Sequence, residues 1–206
     1  MIRKLYSLFK IGRTLAKADA LDYFEEIYNP PLVVIILFKV LGFRFNTVHQ
    51  YTAVPSNEKF VNALKKLGPT FIKLGQFLGT RPDIVGDVLA SDLQKLQDRM
   101  PAFSLSQAKE SLRLELGELT YSKISNISEP IAAASIAQVH FATINNSEKQ
   151  VAIKILRPNI EKIFNEELEA LMLLAYLTEL FLPKTRRLKL VEVIYLLKEI
   201  TSIEMD

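Results

Sequence analysis

Residues 130–156, PIAAASIAQVHFATINNSEKQVAIKIL, contain two runs in which side chains change character with the period of two typical of β-strands. A polar stretch at 145–149 separates the two runs. Two alternating runs joined by a short polar segment predict an antiparallel hairpin. Arg157-Pro158-Asn159 ends the second run, since proline cannot continue the ladder of a central strand.

Segments of helical periodicity lie on both sides of this hairpin. Ser104 is placed to cap the preceding helix and Gly117 to end it, while Pro82 closes one helix and can begin another. The predicted helices are 2–28, 56–67, 69–80, 83–99, 105–116, 160–181 and 188–206. Residues 32–52 are apolar and ambiguous between helix and strand. The predicted fold class is α+β, with a small antiparallel sheet between helices.

The composition excludes several kinds of site. Lys and Arg number 26 against 23 Asp and Glu, and a net charge of +3 is too balanced for a protein that binds nucleic acid through bulk charge. The absence of cysteine excludes disulfides, thiolate zinc sites, iron–sulfur clusters and cysteine nucleophiles. Two histidines, His49 and His140, argue against a multi-histidine metal site.

The first 18 residues carry five basic residues and no acidic ones, with apolar residues near helical spacing. Such a basic amphipathic helix suits an anionic membrane surface, although a solvated helix packed on its own domain has the same pattern. The most apolar run, Leu32 to Phe38, is far shorter than the roughly 20 residues that span a bilayer. We therefore expect peripheral attachment without a transmembrane helix.

Val151-Ala152-Ile153-Lys154 is the first motif that indicates chemistry. Because side chains alternate along a strand, Ala152 and Lys154 are expected to point the same way. A small residue beside a flat ring, with an ammonium group one pleat away near phosphates, is the arrangement of the third strand of a protein-kinase N-lobe. A surface lysine on an ordinary strand is the alternative.

Residues 132–135, Ala-Ala-Ala-Ser, occupy the position of the glycine-rich loop of a kinase. Alanine is small enough for peptide N–H groups to approach phosphates, but it resists the positive φ angles that glycine allows. This segment is therefore expected to be stiffer than a glycine-rich loop. Close packing of small residues is the alternative.

Two further motifs lie far apart in the chain. In Lys73-Leu74-Gly75-Gln76, helical spacing places Lys73 and Gln76 on a polar stripe, although these two residues could also form an ordinary exposed face. Gly75 and Gly79 form a smooth stripe, and close packing against another element would justify their cost in a helix. Glu204 and Asp206 follow an amphipathic helix.

In this combination and order, the motifs resemble the UbiB-type atypical kinases, protein-kinase-like proteins tied to ubiquinone biosynthesis. The resemblance covers most of the chain and is densest from Gly68 onward. The matching residues are Lys73, Gly75 and Gln76 for K-x-G-Q, Ala132, Ala133, Ala134 and Ser135 for the alanine-rich nucleotide loop, Lys154 for the nucleotide-contacting lysine, and Glu204 and Asp206 for E-x-D.

The resemblance implies a pair between Lys73 and Glu204 or Asp206, with Gln76 near the phosphates. It implies ATP or ADP with magnesium, and ATPase-like or small-molecule kinase activity. It also implies attachment to the cytoplasmic side of the inner membrane, near lipid quinone precursors. The corresponding regions are a membrane-proximal 1–55, a helical extension 56–120 and a kinase-like N-lobe 121–206.

No catalytic-loop Asp and Asn and no D-F-G motif are found in the sequence. We therefore expect the N-terminal extension and N-lobe of a longer or split protein that is not catalytic alone. Its partners would then include a C-lobe on a separate chain and other quinone-biosynthesis proteins. The alternatives are a non-catalytic membrane-associated scaffold or remnant of the same pathway, and an unrelated helical interaction domain.

Overall fold

The computed structural model describes residues 2–18, 56–96, 100–145, 147 and 149–206. They form two compact units. The helical unit comprises the described residues up to 96 with 164–204 and Asp206, and the sheet unit comprises the described residues of 98–163 with Met205.

Helices and strands follow the predicted order along the described chain. The helices are α1 Ile2–Lys17, α2 Ser56–Leu67, α3 Pro69–Gly79, α4 Pro82–Val85, α5 Asp87–Gln94, α6 Leu105–Tyr121, α7 Ile160–Phe181 and α8 Leu190–Met205, with a 3-10 helix at Pro183–Leu188. The strands are β1 Ile124–Ser125, β2 Ala132–Ala133, β3 Ala137–Ile144 and β4 Lys149–Leu156. The α+β fold class is confirmed.

The core of the helical unit forms where α3 packs on α2 and α5. Phe71 of α3 is buried with Leu64 of α2 and Leu93 of α5. A Cβ atom added at Gly79 would lie 2.9 Å from the backbone N of Gln94, and one added at Gly75 would overlap leucine side chains. The expectation that these glycines permit close packing is confirmed.

The prediction of a single helix over 83–99 is wrong. Gly86, at φ 81°, separates α4 from α5, and α5 ends at Gln94. A positive φ is easily adopted by glycine, so the chain changes direction at this residue. Residues 97–99 lie outside the described chain.

The predicted helix over 105–116 begins as expected and leaves helical geometry at Gly117 as predicted, and a further helical turn then extends α6 to Tyr121. Ser104 caps it in a capping box in which its side chain accepts from the Gln107 N–H. Gly117, at φ 71° and ψ 161°, interrupts the helical geometry, but a further turn follows it.

The sheet unit is built around the hairpin β3–β4, whose register pairs His140 with Ile153. Strands β1 and β2 both pair antiparallel with β3. Ile155 of β4 packs with Ala108 and Leu112 of α6, so one face of the hairpin is covered. The opposite face remains open within the sheet unit, because alternate residues of β4 are exposed.

Most of the first predicted region falls outside the described residues. This applies to the predicted helix beyond residue 18 and to the apolar segment 32–52. The division at 55 and 120 stays a prediction. Among the helices that are described, none combines the length and hydrophobicity needed to cross a bilayer.

Candidate functional site

On the open face of the hairpin, side chains from three neighbouring strands lie next to one another. Ala132 of β2 is the register partner of Val139 on β3, and Val139 is the partner of Lys154 on β4. Register partners in an antiparallel sheet present their side chains to the same face. Ala152, opposite Phe141, lies one pleat from Lys154 on this face, as expected from the alternation. Ala152 and Lys154 are both exposed.

The alanine-rich segment is a short strand followed by a tight turn, and not simply a loop. Ala132 and Ala133 form β2, and the Ala134 N–H then donates to the Ala137 carbonyl at 2.8 Å. Ala132 is exposed, whereas Ser135 is fully buried. The segment therefore presents its alanines, and not the Ser135 side chain, to the surface of the sheet unit.

Two buried polar side chains, Gln138 and His140, lie on the covered face of the hairpin. The Gln138 side chain accepts from the Phe103 N–H at 3.1 Å and donates to the Phe103 carbonyl at 3.2 Å. His140 Nδ1 lies 2.7 Å from the Ser128 carbonyl, and His140 Nε2 lies 2.8 Å from Gln138 Nε2. The carbonyl can only accept, so Nδ1 carries the proton and Nε2 accepts from Gln138.

Sequence reasoning missed these supporting residues, as well as Arg157, whose guanidinium donates to the Ala134 carbonyl. Gln138 and His140 occupy inward positions of β3, where alternation predicts apolar side chains. Two consecutive inward polar residues were the available signal, since buried polar side chains need hydrogen-bond partners.

Lys73 and Glu204 meet within the helical unit. Lys73 Nζ on α3 lies 2.6 Å from Glu204 Oε2 on α8. The Lys73 side chain is 12% exposed and that of Glu204 40% exposed, so the pair is partly shielded from water. Of the two acids suggested by the resemblance, the structure brings Glu204 to Lys73, whereas Asp206 follows the last residue of α8.

Gln76 lies one turn along α3 from Lys73, where its side-chain amide donates to the Leu96 carbonyl at 3.4 Å. This hydrogen bond fixes the end of the segment that follows α5 against α3. The polar stripe predicted on this helix is therefore engaged in contacts within the helical unit.

The described residues contain no group of three or more His, Asp or Glu side chains that could hold a metal ion. The described residues offer instead two other features: the exposed Lys154 beside small side chains, and the separate pair of Lys73 and Glu204. An ammonium group on an open sheet face attracts phosphate oxygens as a point charge.

Comparison with known proteins gives the family. The sequence model of the family described as "ABC1 atypical kinase-like domain" matches residues 95–206. The chain is 43% identical to the "Probable protein kinase UbiB" of Marinobacter nauticus over 192 residues, which are 93% of this chain and 34% of that protein. It is 40% identical to the protein of the same description from Shewanella baltica over 141 residues, 68% of this chain and 26% of that protein.

A third relative, the "Probable protein kinase UbiB" of Shewanella denitrificans, is 35% identical over 94% of this chain and 35% of that protein. The chain thus spans about a third of the length of the curated relatives it matches. No solved structure matches it. The domain match covers more than half of the chain, and the chain belongs to the ABC1 atypical kinase-like family.

Proposed function

We propose that this chain provides the nucleotide-binding part of a UbiB-like atypical kinase or ATPase that supports ubiquinone biosynthesis. The observation that carries the proposal is the register that aligns Ala132, Val139 and Lys154 on one open face. The proposed ligand is ATP or ADP with Mg²⁺.

The face suits a nucleotide because it combines a flat apolar area with one cation. The purine lies against Ala152 and Val139, while the Lys154 ammonium binds phosphate oxygens. The small side chains of 132–134 let the phosphates approach the peptide backbone, where the Ala134 N–H itself is used by the turn to bind the Ala137 carbonyl. Since its hydroxyl is buried, Ser135 is assigned a role through its backbone. Because the described residues offer no metal cluster, we propose that this part of the protein holds Mg²⁺ only through the nucleotide phosphates.

The pair Lys73–Glu204 is proposed to control access to the nucleotide, and not to bind it directly. Its support is the short, partly shielded contact that joins α3 to α8. Gln76 and Asp206 belong to the same proposed group of gating or active-site residues.

Phosphoryl transfer requires further residues, because the sequence contains no catalytic-loop or D-F-G motif. We propose that the chain alone does not hydrolyse ATP. A kinase C-lobe, in the same longer protein or on a separate chain, then supplies the metal-binding acids, and other quinone-biosynthesis proteins are further partners.

Equilibrium and stopped-flow binding of a fluorescent ADP to the chain tests the nucleotide site. Lys154→Ala is expected to weaken binding about tenfold or more, since a charge-assisted contact is lost. Lys73→Ala is expected to change the association and dissociation rates together, as a gate would. Lys149→Ala, at the exposed start of the same strand, is the matched control. If neither Lys154→Ala nor Lys73→Ala differs from this control, the proposal is wrong.

A second candidate, a non-catalytic scaffold at the cytoplasmic face of the inner membrane, is favoured by the surface of α1. This helix buries Ile11 and Leu15, yet Tyr6 is 69% and Phe9 51% exposed. The same helix carries five basic residues and no acidic residue. Exposed aromatic and basic side chains on one helix suit an anionic lipid surface.

A further inference from the structure

Arg157, the residue directly after β4, joins two separate segments of the sheet unit. Its Nε and Nη2 atoms both donate to the Ala134 carbonyl, at 3.1 and 2.7 Å. Nη2 also donates to the Pro101 carbonyl at 3.0 Å. In addition, the Arg157 peptide N–H donates to the Ile136 carbonyl at 2.9 Å, so one residue binds both sides of the turn that follows β2.

The segment to which Arg157 is anchored is itself fixed. The guanidinium carbon lies 5.6 Å from the centre of the Phe103 ring, within the range of a cation–π contact. The Phe103 peptide groups are held by Gln138, and Gln138 is held by His140. These contacts form one continuous path from the buried face of β3 to the carbonyl of Ala134.

We propose that Arg157 is the positioning residue of the alanine-rich segment, holding the turn 134–137 in the shape that receives the nucleotide phosphates; this rests on the proposed nucleotide site. The argument depends on the Ala134 carbonyl, which is fixed from outside the turn. A turn made of alanine, serine and isoleucine cannot use glycine conformations to adapt to a ligand, so its shape is set by such external contacts.

Arginine suits this task better than lysine. The planar guanidinium can donate to one carbonyl through two nitrogen atoms while reaching a second carbonyl in the same plane. A lysine ammonium can reach the Ala134 carbonyl as a point donor, but it cannot reproduce the fork or stack in the same way on Phe103. Arg157→Lys should therefore restore part of what Arg157→Gln removes.

Hydrogen exchange tests the positioning without any ligand. In Arg157→Gln, the Ala134 amide, which donates to Ala137, is expected to exchange about tenfold faster. The amides of α6 should be unchanged, and Arg157→Lys should be intermediate. Arg113→Gln, which removes an exposed arginine paired with Glu118, is the control. Unchanged exchange at Ala134, or equal acceleration throughout the sheet unit, overturns the proposal.

A second measurement separates positioning of phosphates from general loosening. ADP binding by Arg157→Gln is expected to weaken about tenfold, while adenosine binding stays within about twofold. Equal weakening of both ligands shows a merely structural role and overturns the proposal. If the unsubstituted chain binds neither ligand, the proposed nucleotide site fails for this chain, and the exchange measurement still decides the role of Arg157.

Discussion

Glu167 of α7 is an acidic side chain with little exposure to water. Its side chain is 13% exposed, and Lys10 Nζ of α1 lies 4.0 Å from its Oε1. Burial raises the pKa of this carboxyl above its usual value, although the neighbouring Thr70 hydroxyl and the charge of Lys10 act in the opposite direction. The fold therefore holds a carboxylate at a cost that its partners only partly offset.

Replacement of this carboxylate should increase stability at neutral pH. Because the pKa of Glu167 is higher in the folded than in the unfolded chain, the folded state binds more protons between the two values. Stability is therefore lost as pH rises from the usual glutamate pKa through the raised pKa. Glu167→Gln should raise the melting temperature at pH 7 and flatten its dependence on pH above 4.5.

The exposed Glu169 on the same helix gives the control, Glu169→Gln, which should leave this dependence in place. Melting curves at several pH values distinguish the two variants. A lower melting temperature for Glu167→Gln at pH 7 would show that Lys10 and Thr70 outweigh the cost of burial.

The sequence predicts the residues of the candidate site better than their partners. Alternation alone places Ala152 and Lys154 on one face, because strand geometry leaves no other choice. The family resemblance does not say which of Glu204 and Asp206 pairs with Lys73. The structure distinguishes these two acids, because α8 ends at Met205 and carries Glu204 to Lys73. The link from Arg157 to Ala134 joins positions 23 apart in sequence, so no local pattern reveals it.

At the scale of elements, α3 and α5 depend on the small residue at Gly79. An added Cβ would lie 2.9 Å from the backbone N and 3.3 Å from the side-chain Cγ of Gln94. The Gln94 side chain also donates to the Gly79 carbonyl at 2.8 Å, so its position is fixed by this approach. A backbone neighbour cannot move aside as the end of a flexible side chain can.

Gly79→Ala should therefore destabilise the chain by about 1–3 kcal/mol, the usual cost of overpacking, although alanine has the better helix propensity. Denaturant unfolding measures the change. Ser91→Ala, at an exposed position of α5, is the control and should stay within about 0.5 kcal/mol. Equal stability of Gly79→Ala and the unsubstituted chain would mean that α3 and α5 can separate without cost.

Glycine also explains where the helix predictions succeed and fail. Helical periodicity continues through Gly86, because apolar spacing does not register a single residue at positive φ, whereas Gly117 breaks the helix where the sequence predicts its end. The end of α3 is predicted correctly because Pro82 restricts the residue before it as well as itself. Periodicity thus identifies the helices, while their breaks depend on the conformation of individual residues.

At the scale of the whole molecule, α1 is the described surface best suited to lipid. It carries Lys10 and Arg13 within a run free of acidic residues, while the chain as a whole has a net charge of only +3. Attraction to anionic lipid is therefore expected to come from this helix and not from overall charge. Exposed Tyr6 and Phe9 are expected to supply the apolar contact.

Flotation with vesicles tests this attachment. The chain should float with vesicles containing anionic lipid, less so with neutral vesicles, and less at high salt, since screening weakens the attraction. Tyr6→Ser with Phe9→Ser should reduce the floating fraction several-fold, because burial of each aromatic side chain contributes about 1.5–3 kcal/mol at most.

The matched control is Leu114→Ser with Leu119→Ser, which removes two apolar side chains that are 74% and 85% exposed on α6. If attachment depends on α1, this control floats like the unsubstituted chain. If both double variants lose flotation equally, binding follows general surface hydrophobicity, and α1 has no special role. Loss with the α1 variant alone, together with the salt dependence, assigns the membrane contact to the basic helix.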